Sequence, residues 1–257
     1  AKALMRYFMD HVLRGVENRF ATLPPVRLEV RSARDTVHTV RWEADWPLPD
    51  TDYRALHLAE GGLAATPPAA PAEIAYAAAD GLATFDHVFE EDTELTGYMK
   101  LRLWVEVRPA APGAAPGAVQ PDDMILCIFV DKLDRDGRSV RFNGTIGTTD
   151  DVVTRGYLRV SRRALDPVAS TAWLPVPLGT GEERLAPGEI VPVEIALRPS
   201  ATAFAAGESL RLVVSGRELH HAPVFRKDTS LNAGRHILHF GGDFDAHLLV
   251  PVVPEPY

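Results

Sequence analysis

The sequence predicts an all-β fold, a two-sheet sandwich of jelly-roll type with one amphipathic helix at its N-terminal end. Segments of alternating apolar and polar residues recur along the 257-residue chain, turn-forming residues separate them, and a clear helical spacing of apolar residues occurs once. Many short strands joined by turns are typical of β-sandwiches. A hydrophobic content of 46% is sufficient to fill the core of such a domain.

The predicted helix covers residues 2 to 14. Leu4, Phe8 and Val12 fall on one stripe at helical spacing. Three further apolar residues, Met5, Met9 and Leu13, widen that stripe. Gly15 stands where a helix commonly ends. The sequence therefore predicts a short helix with a broad apolar face.

After the helix the apolar period changes to two, which predicts strands. The strongest pattern runs from Met99 to Val107, and similar alternation marks residues 26–31, 191–197 and 210–214. Pro192 lacks a backbone N–H, so its strand is expected at a sheet edge or a bulge.

Turns and loops complete the predicted sandwich. Asp134-Arg-Asp136-Gly137 and Ala186-Pro-Gly188-Glu189 have turn chemistry. Two Ala/Pro/Gly tracts, Ala64 to Ala72 and Pro109 to Pro121, interrupt the strand pattern. We interpret both as surface loops within one domain, because strands of the same sandwich lie on either side.

Charge and cysteine content exclude several function classes. A net charge of -8 without a long Lys or Arg run argues against nucleic-acid and anionic-membrane partners. No apolar stretch is long enough to span a bilayer, and no signal-peptide pattern is present. The single cysteine, Cys127, lies in an apolar run and is predicted to be buried. It cannot form an internal disulfide, which fits a cytoplasmic protein.

A hydrolase nucleophile is missing from the chain. Serine hydrolases with a nucleophile elbow carry Gly-x-Ser-x-Gly at a strand-to-helix turn. The closest match, Gly207-Glu-Ser209-Leu-Arg211, lacks the second glycine and continues into a predicted strand. The chain is therefore predicted to be a supporting domain and to be inactive alone.

Several short motifs occur in a recognisable order. They are Asp45-Trp-Pro-Leu-Pro-Asp-Thr51, Leu95-Thr-Gly97, Gly156-Tyr-Leu-Arg-Val-Ser-Arg-Arg-Ala-Leu-Asp166, Pro187-Gly-Glu189, Phe204-Ala-Ala-Gly207 and Leu248-Leu-Val-Pro251. Together they resemble the C-terminal domain of the cocaine esterase and X-prolyl dipeptidyl aminopeptidase family of serine hydrolases, a galactose-binding-like jelly roll. Phe8-Met-Asp-His-Val-Leu-Arg-Gly15 resembles the last helix of that family's α/β-hydrolase domain.

The resemblance implies a division of the chain and a partner. Residues 1–20 would end an α/β-hydrolase domain, and residues 21–257 would form the jelly roll. Family members keep the serine, acid and histidine upstream, so no catalytic residue is carried over, and no cofactor or metal is expected. The implied partner is the catalytic domain of the same parent protein, an esterase or an X-Pro dipeptidyl-peptidase.

Two sets of residues are candidates for contacts with that partner. Leu4, Phe8 and Val12 are expected at an interdomain or oligomer contact, with a homodimer as the second possibility. In the segment from Ala79 to Asp86, Leu82 and Phe85 are candidates for lining the substrate cleft, with core packing an equal alternative for Phe85. The choice between ester and peptide substrates stays open.

Other constellations have simpler interpretations. His236 and His239 are three residues apart, so in a strand they point to opposite faces and are not expected to share a metal ion. These two and the adjacent His220 and His221 are interpreted as surface or cleft-edge histidines. Asp131 to Gly137 resembles a calcium loop, but Lys132 replaces an oxygen ligand, so a solvated hairpin is favoured. The acidic run Glu90 to Glu94 is interpreted as exposed loop, with a structural calcium site as the minor alternative.

Two alternative functions are open at this stage. An internal triad would draw on five residues, Ser209, Ser215, His220, His221 and Asp228. A carbohydrate-binding or protein-interaction module would use exposed aromatics, for which Trp42, Trp46, Trp104 and Trp173 are candidates.

Overall fold

A computed structural model describes residues 2–110, 120–144, 150–220 and 229–254. Helix α1 covers Lys2–Arg14, as predicted. The described strands are β1 (Val26–Ala33), β2 (Thr36–Glu43), β3 (Asp52–Ala59), β4 (Gly62–Ala64), β5 (Ala72–Ala77), β6 (Leu82–Val88), β7 (Thr93–Gly97), β8 (Lys100–Arg108), β9 (Ile125–Leu133), β10 (Ser139–Val140), β11 (Thr154–Arg159), β12 (Val191–Ala196), β13 (Ser200–Phe204), β14 (Ser209–Ser215), β15 (Arg235–Phe240) and β16 (His247–Val253). Short 3-10 turns lie at Arg19–Thr22 and Val160–Arg162.

The strands form two sheets, which confirms the predicted sandwich. The larger sheet has eleven strands in the described residues, with the order β2-β1-β13-β7-β16-β8-β15-β5 and with β12, β3 and β4 attached to this path. The smaller sheet has five, in the order β10-β9-β14-β6, and β11 pairs with β9. Pairing is antiparallel except between β1 and β13.

The core lies between the two sheets. Strand β8 directs Leu101, Leu103 and Val105 into it, and all three are fully buried. Alternate residues of β9 and β14 meet them from the other sheet, namely Leu126, Ile128, Val130, Leu210, Leu212 and Val214. The period of two that identified these strands therefore also gives the core face.

Edges and turns follow the local chemistry. Strand β12, which contains Pro192, pairs only with β8 in the described structure, so it is the predicted edge strand. The Asp134 turn joins β9 to β10 as a hairpin, and Gly137 has a φ of 77°. Glycine adopts this left-handed conformation without steric cost. Of the tract from Pro109 to Pro121, residues 111–119 lie outside the described residues.

Candidate interdomain surfaces

The apolar face of α1 is exposed. No residue of the helix is buried, and Leu4 is half-buried. Phe8 is 41% exposed, Val12 55% and Leu13 72%, with Met5 and Met9 between these values. The stripe predicted from the sequence is thus present and has no partner that buries it in the described chain.

A turn next to the helix holds it in place. The ring of Phe8 meets that of Phe20 edge to face, with centroids 5.3 Å apart. The Asn18 amide donates to the Tyr7 carbonyl oxygen at 3.0 Å, and the Arg19 guanidinium lies 4.9 Å from the Tyr7 ring. These contacts tie α1 to the turn at residues 19–22 rather than to either sheet.

The two cleft candidates have different environments. Leu82 begins β6 and is 43% exposed. Phe85 is 3% exposed, and its ring packs edge to face on Phe240 in the core. Strand β6 alternates between its faces, which sends Phe85 inwards, so core packing describes Phe85 and it does not line an open surface of this chain. Leu82 alone stays accessible to a neighbouring domain.

Leu82 lies on an outer face that is partly apolar. It pairs with Ser215 on β14, on the same face as Val213. Val213 belongs to a second apolar cluster, separate from the main core, with Cys127, Phe129 and Val152. Cys127 is fully buried, as the sequence predicted. The unbroken apolar run from Ile125 to Val130 was the sequence signal for a strand buried on both faces.

The histidines of β15 require a correction. His236 and His239 were expected at the surface or a cleft edge, but both are buried. His236 Nδ1 lies 3.2 Å from the Tyr76 hydroxyl, and burial lowers the pKa of His236 to about 4. The expectation failed because β15 lies inside the larger sheet, between β5 and β8. Opposite orientations were correctly expected, since His239 contacts Glu106 instead.

A charged network surrounds His239. Its Nε2 lies 2.9 Å from Glu106, and Arg108 bonds both Glu106 and Glu73 at 2.7 Å. Burial by itself would raise the pKa of Glu106, but hydrogen bonds from Arg108 and His239 outweigh it and lower that pKa. Arg108 thus forms ion pairs with two carboxylates. The network links side chains of three neighbouring strands, β5, β8 and β15, and its role is structural.

The internal triad receives no support from the described residues. Ser215 is fully buried, and its hydroxyl donates to the Gly81 carbonyl oxygen at 3.1 Å. Neither Ser215 nor Ser209 is hydrogen-bonded to His220 in the described structure. His221 and Asp228 lie outside the described residues.

The two acidic segments form a turn and ion pairs, and they lie partly in strands rather than in exposed loops, because Asp131 belongs to β9 and Glu94 to β7. Asp134 accepts hydrogen bonds from the backbone N–H of Asp136 and of Arg138, which closes the hairpin. Asp131 pairs with Arg141 at 3.2 Å, and Glu94 with Arg41. Across the described ranges, no group of three His, Cys, Asp or Glu side chains is arranged to hold a metal ion.

Three of the four tryptophans are engaged by other aromatic or acidic residues. The indole N–H of Trp104 donates to Asp245 at 2.7 Å, and its ring packs on Phe244. Trp173 stacks on Tyr53, and Trp46 packs against Tyr98. Trp42, at 39% exposure, is the most open. No row of free aromatic faces suited to a sugar chain is therefore formed by these four residues.

No helix among the described residues is long and apolar enough to cross a membrane.

A family model decides the relationship. Residues 18–249 match the X-Pro dipeptidyl-peptidase C-terminal non-catalytic domain. The chain belongs to this family. The resemblance inferred from the short motifs is thereby confirmed, and the non-catalytic character of the family agrees with the missing nucleophile elbow. No curated protein sequence matches the chain.

Several solved hydrolase structures are similar to this chain. A CocE/NonD family hydrolase from Staphylococcus aureus is 32% identical, with a TM-score of 0.88 over 98% of this chain and 45% of that chain. Two more distant structures share the fold. One is an aminopeptidase from a marine sediment Thaumarchaeota archaeon, with 13% identity and a TM-score of 0.62 over 97% of this chain and 43% of that chain. The other is an alpha-amino acid ester hydrolase, with 12% identity and a TM-score of 0.59 over 97% of this chain and 44% of that chain.

The alignment with the staphylococcal hydrolase also bears on the helix. The C-terminal domain spans less than half the length of that relative. The family model begins at residue 18, after α1, whereas the structural alignment leaves only 2% of this chain uncovered and so includes most of α1. The helix is therefore part of what this chain shares with the larger hydrolase.

Proposed function

We propose that this C-terminal domain belongs to a serine hydrolase acting on acyl esters or X-Pro peptides, and that it packs on the α/β-hydrolase catalytic domain of the same parent protein. The exposed apolar face of α1 is the observation that carries the proposal. Family membership supports it, because the family is described as the C-terminal non-catalytic domain of X-Pro dipeptidyl-peptidases.

The energetic argument concerns five exposed side chains on one short helix. Burying a large aliphatic or aromatic side chain contributes roughly 1.5 to 3 kcal/mol. Met5, Phe8, Met9, Val12 and Leu13 are each 41 to 72% exposed in this chain. A contiguous apolar patch of this kind marks an interaction surface. A catalytic domain that covers the patch would recover this free energy.

Leu82 extends the proposal to the substrate cleft. It is exposed at the start of β6, on the outer face of the smaller sheet. A domain placed against this face would bring Leu82 to the boundary of its cleft, where an apolar side chain helps exclude water. Water exclusion strengthens the electrostatic stabilisation of an acyl-transfer transition state.

Two finer points belong to the same proposal. A cytoplasmic location is supported by the cysteine content, because a chain with one cysteine cannot form an internal disulfide and secreted domains commonly use disulfides. A second copy of the chain is the alternative occupant of the α1 face, because a symmetric contact between two helices would also bury it.

The experiment is a binding test between separately expressed domains. The α/β-hydrolase domain encoded by the parent gene is mixed with this chain, and complex formation is followed by sedimentation velocity. We expect a one-to-one complex that Phe8→Asp weakens at least tenfold. Ala3→Asp is the matched control, because Ala3 lies on the opposite side of α1 and the change introduces the same charge.

The outcomes separate the two occupants of the α1 face. A homodimer that Phe8→Asp dissolves, without binding of the catalytic domain, would replace the interdomain contact by a dimer contact. Equal effects of Phe8→Asp and Ala3→Asp would show that the apolar face is not the contact.

A further inference from the structure

A large cavity lies beneath the β1–β2 hairpin, away from α1 and Leu82. Its volume is about 1110 Å³. Strand β2 forms one wall, and β13, the start of β7 and the 48–51 loop form others. Six apolar residues are among those that line it, namely Leu48, Pro49, Val140, Phe204, Val253 and Pro254, of which Leu48 and Phe204 are themselves buried. Small-molecule sites are commonly concave, largely apolar and about 300 to 1,000 Å³ in volume.

Lys132 and Arg41, the two permanently charged cations in the cavity wall, already have hydrogen-bond and ion-pair partners within the chain. Lys132 donates to the Ser32 and Ala203 carbonyl oxygens at 2.9 and 2.7 Å and pairs with Glu208 at 2.6 Å. These three contacts use all three ammonium donors. Neither a carboxylate nor a phosphate ligand would therefore find a free donor on Lys132.

Arg41 is matched in the same way. Two of its nitrogens donate to the two carboxylate oxygens of Glu94, at 2.7 and 2.5 Å, and its Nε donates to Glu43 at 2.5 Å. This bidentate arrangement fixes the guanidinium plane. The hydrogen bonds that Arg41 donates to Glu94 are the largest cause of its raised pKa, so this cation keeps its charge.

Carboxylates outnumber these cations in the wall. Five line the cavity, namely Glu43, Asp50, Asp92, Glu94 and Glu208, against Arg41 and Lys132. Asp92 accepts a hydrogen bond from the Ala206 N–H at 2.8 Å, and neither Asp92 nor Asp50 forms an ion pair within the described ranges. A concave site lined by one sign of surplus charge concentrates ions of the opposite sign.

We propose that this cavity binds an amphipathic organic cation, a primary ammonium or guanidinium group attached to an apolar body. The ammonium lies near Asp50 and Asp92, and the apolar body lies against Pro49 and Pro254, which are exposed in the cavity wall. The site is independent of the proposed interdomain contact, because none of its lining residues belongs to α1 or to β6.

The experiment compares three probes of equal chain length on the isolated chain. Octylamine, octan-1-ol and octanoate are titrated below their aggregation limits at pH 8, where an alkylamine is protonated since its pKa resembles the value of about 10.4 for lysine. Binding is measured by calorimetry and by amide chemical shifts. We expect saturable binding of octylammonium at least tenfold tighter than octan-1-ol, weaker binding of octanoate than of the alcohol, and shifts at Thr93 and Ala203.

Variants test the place of binding. Thr39→Trp fills the cavity from β2 and is expected to abolish octylammonium binding. Val40→Trp is the matched control, since Val40 is adjacent in the strand, is exposed and does not line the cavity. The double variant Asp50→Asn and Asp92→Asn keeps a side-chain acceptor for Ala206 and is expected to reduce the preference for octylammonium over octan-1-ol at least fivefold.

Three results would overturn the proposal. These are no saturable octylammonium binding to the folded wild-type chain, octanoate binding as tight as octylammonium binding, and equal effects of Thr39→Trp and Val40→Trp in variants whose circular dichroism matches the wild type. Each of them leaves the interdomain contact of α1 untouched, so failures of the two proposals are distinguishable.

Discussion

Lys132 shows how one residue can join three parts of the sandwich. It is 1% exposed on β9, yet its ammonium bonds the end of β1, the end of β13 and the carboxylate of Glu208. The sequence analysis noted Lys132 only because it stands where a calcium loop needs an oxygen ligand. A buried charge with full hydrogen bonding is stable, but removing one partner leaves the other charge uncompensated.

For Lys132→Met we expect a loss of about 3 kcal/mol in the free energy of unfolding, because Glu208 then keeps a poorly solvated charge. Urea denaturation measures the loss. Arg54→Gln is the control, since the Arg54–Asp52 pair is more than half exposed and such pairs contribute roughly 0 to 1 kcal/mol. A smaller loss for Lys132→Met than for Arg54→Gln would contradict this assignment.

His236 provides a pH-dependent test of the core. Burial holds its pKa near 4, below the value of about 6.5 in an unfolded chain, so the unfolded state binds the additional proton first. The contribution of neutral His236 is therefore complete above pH 6.5 and is lost as the pH falls towards 4. Its Nε2 is buried without a hydrogen-bond partner among the described residues, so protonation finds no acceptor there.

We expect His236→Phe to flatten the decline in stability between pH 6.5 and 4 relative to the wild type. The difference approaches about 3 kcal/mol at pH 4, from roughly 1.36 kcal/mol per pKa unit. Urea denaturation at half-unit pH steps measures the slope, with the exposed His38→Gln as control. Parallel pH profiles for His236→Phe and the wild type would show that His236 is protonated within the fold.

Among the elements, α1 and β8 show what apolar periodicity can and cannot predict. Both have strong apolar periodicity, and both were predicted at their observed positions. Periodicity gives the apolar face of an element but not what covers it. The face of β8 meets β9 and β14 in the core, whereas the face of α1 remains exposed.

Deleting residues 2–15 is expected to change the unfolding free energy of the sandwich by less than about 1 kcal/mol, because no residue of α1 is buried. Leu101→Ala in β8 is the contrast, with an expected loss of about 2 to 5 kcal/mol for a fully buried leucine. Both values come from urea denaturation. A loss after the deletion as large as that of Leu101→Ala would mean that α1 packs on the sandwich.

For the whole molecule, alternation and turn residues predicted the fold, and the order of short motifs indicated the family. What they missed depends on strand order. His236 and His239 were misplaced because no local pattern shows that β15 lies between β5 and β8. The cavity beneath the β1–β2 hairpin was missed for the same reason, since its lining comes from segments as far apart in the sequence as Ser32 and Pro254.

We expect residues 1–257 to contribute no catalytic nucleophile to the serine hydrolase proposed as their parent protein. The most direct measurement is fluorophosphonate labelling of the parent protein, followed by peptide mapping. We expect stoichiometric labelling of one serine outside this chain, and no labelling of the isolated chain. Labelling of a serine within residues 1–257, abolished by its replacement with alanine, would contradict the claim.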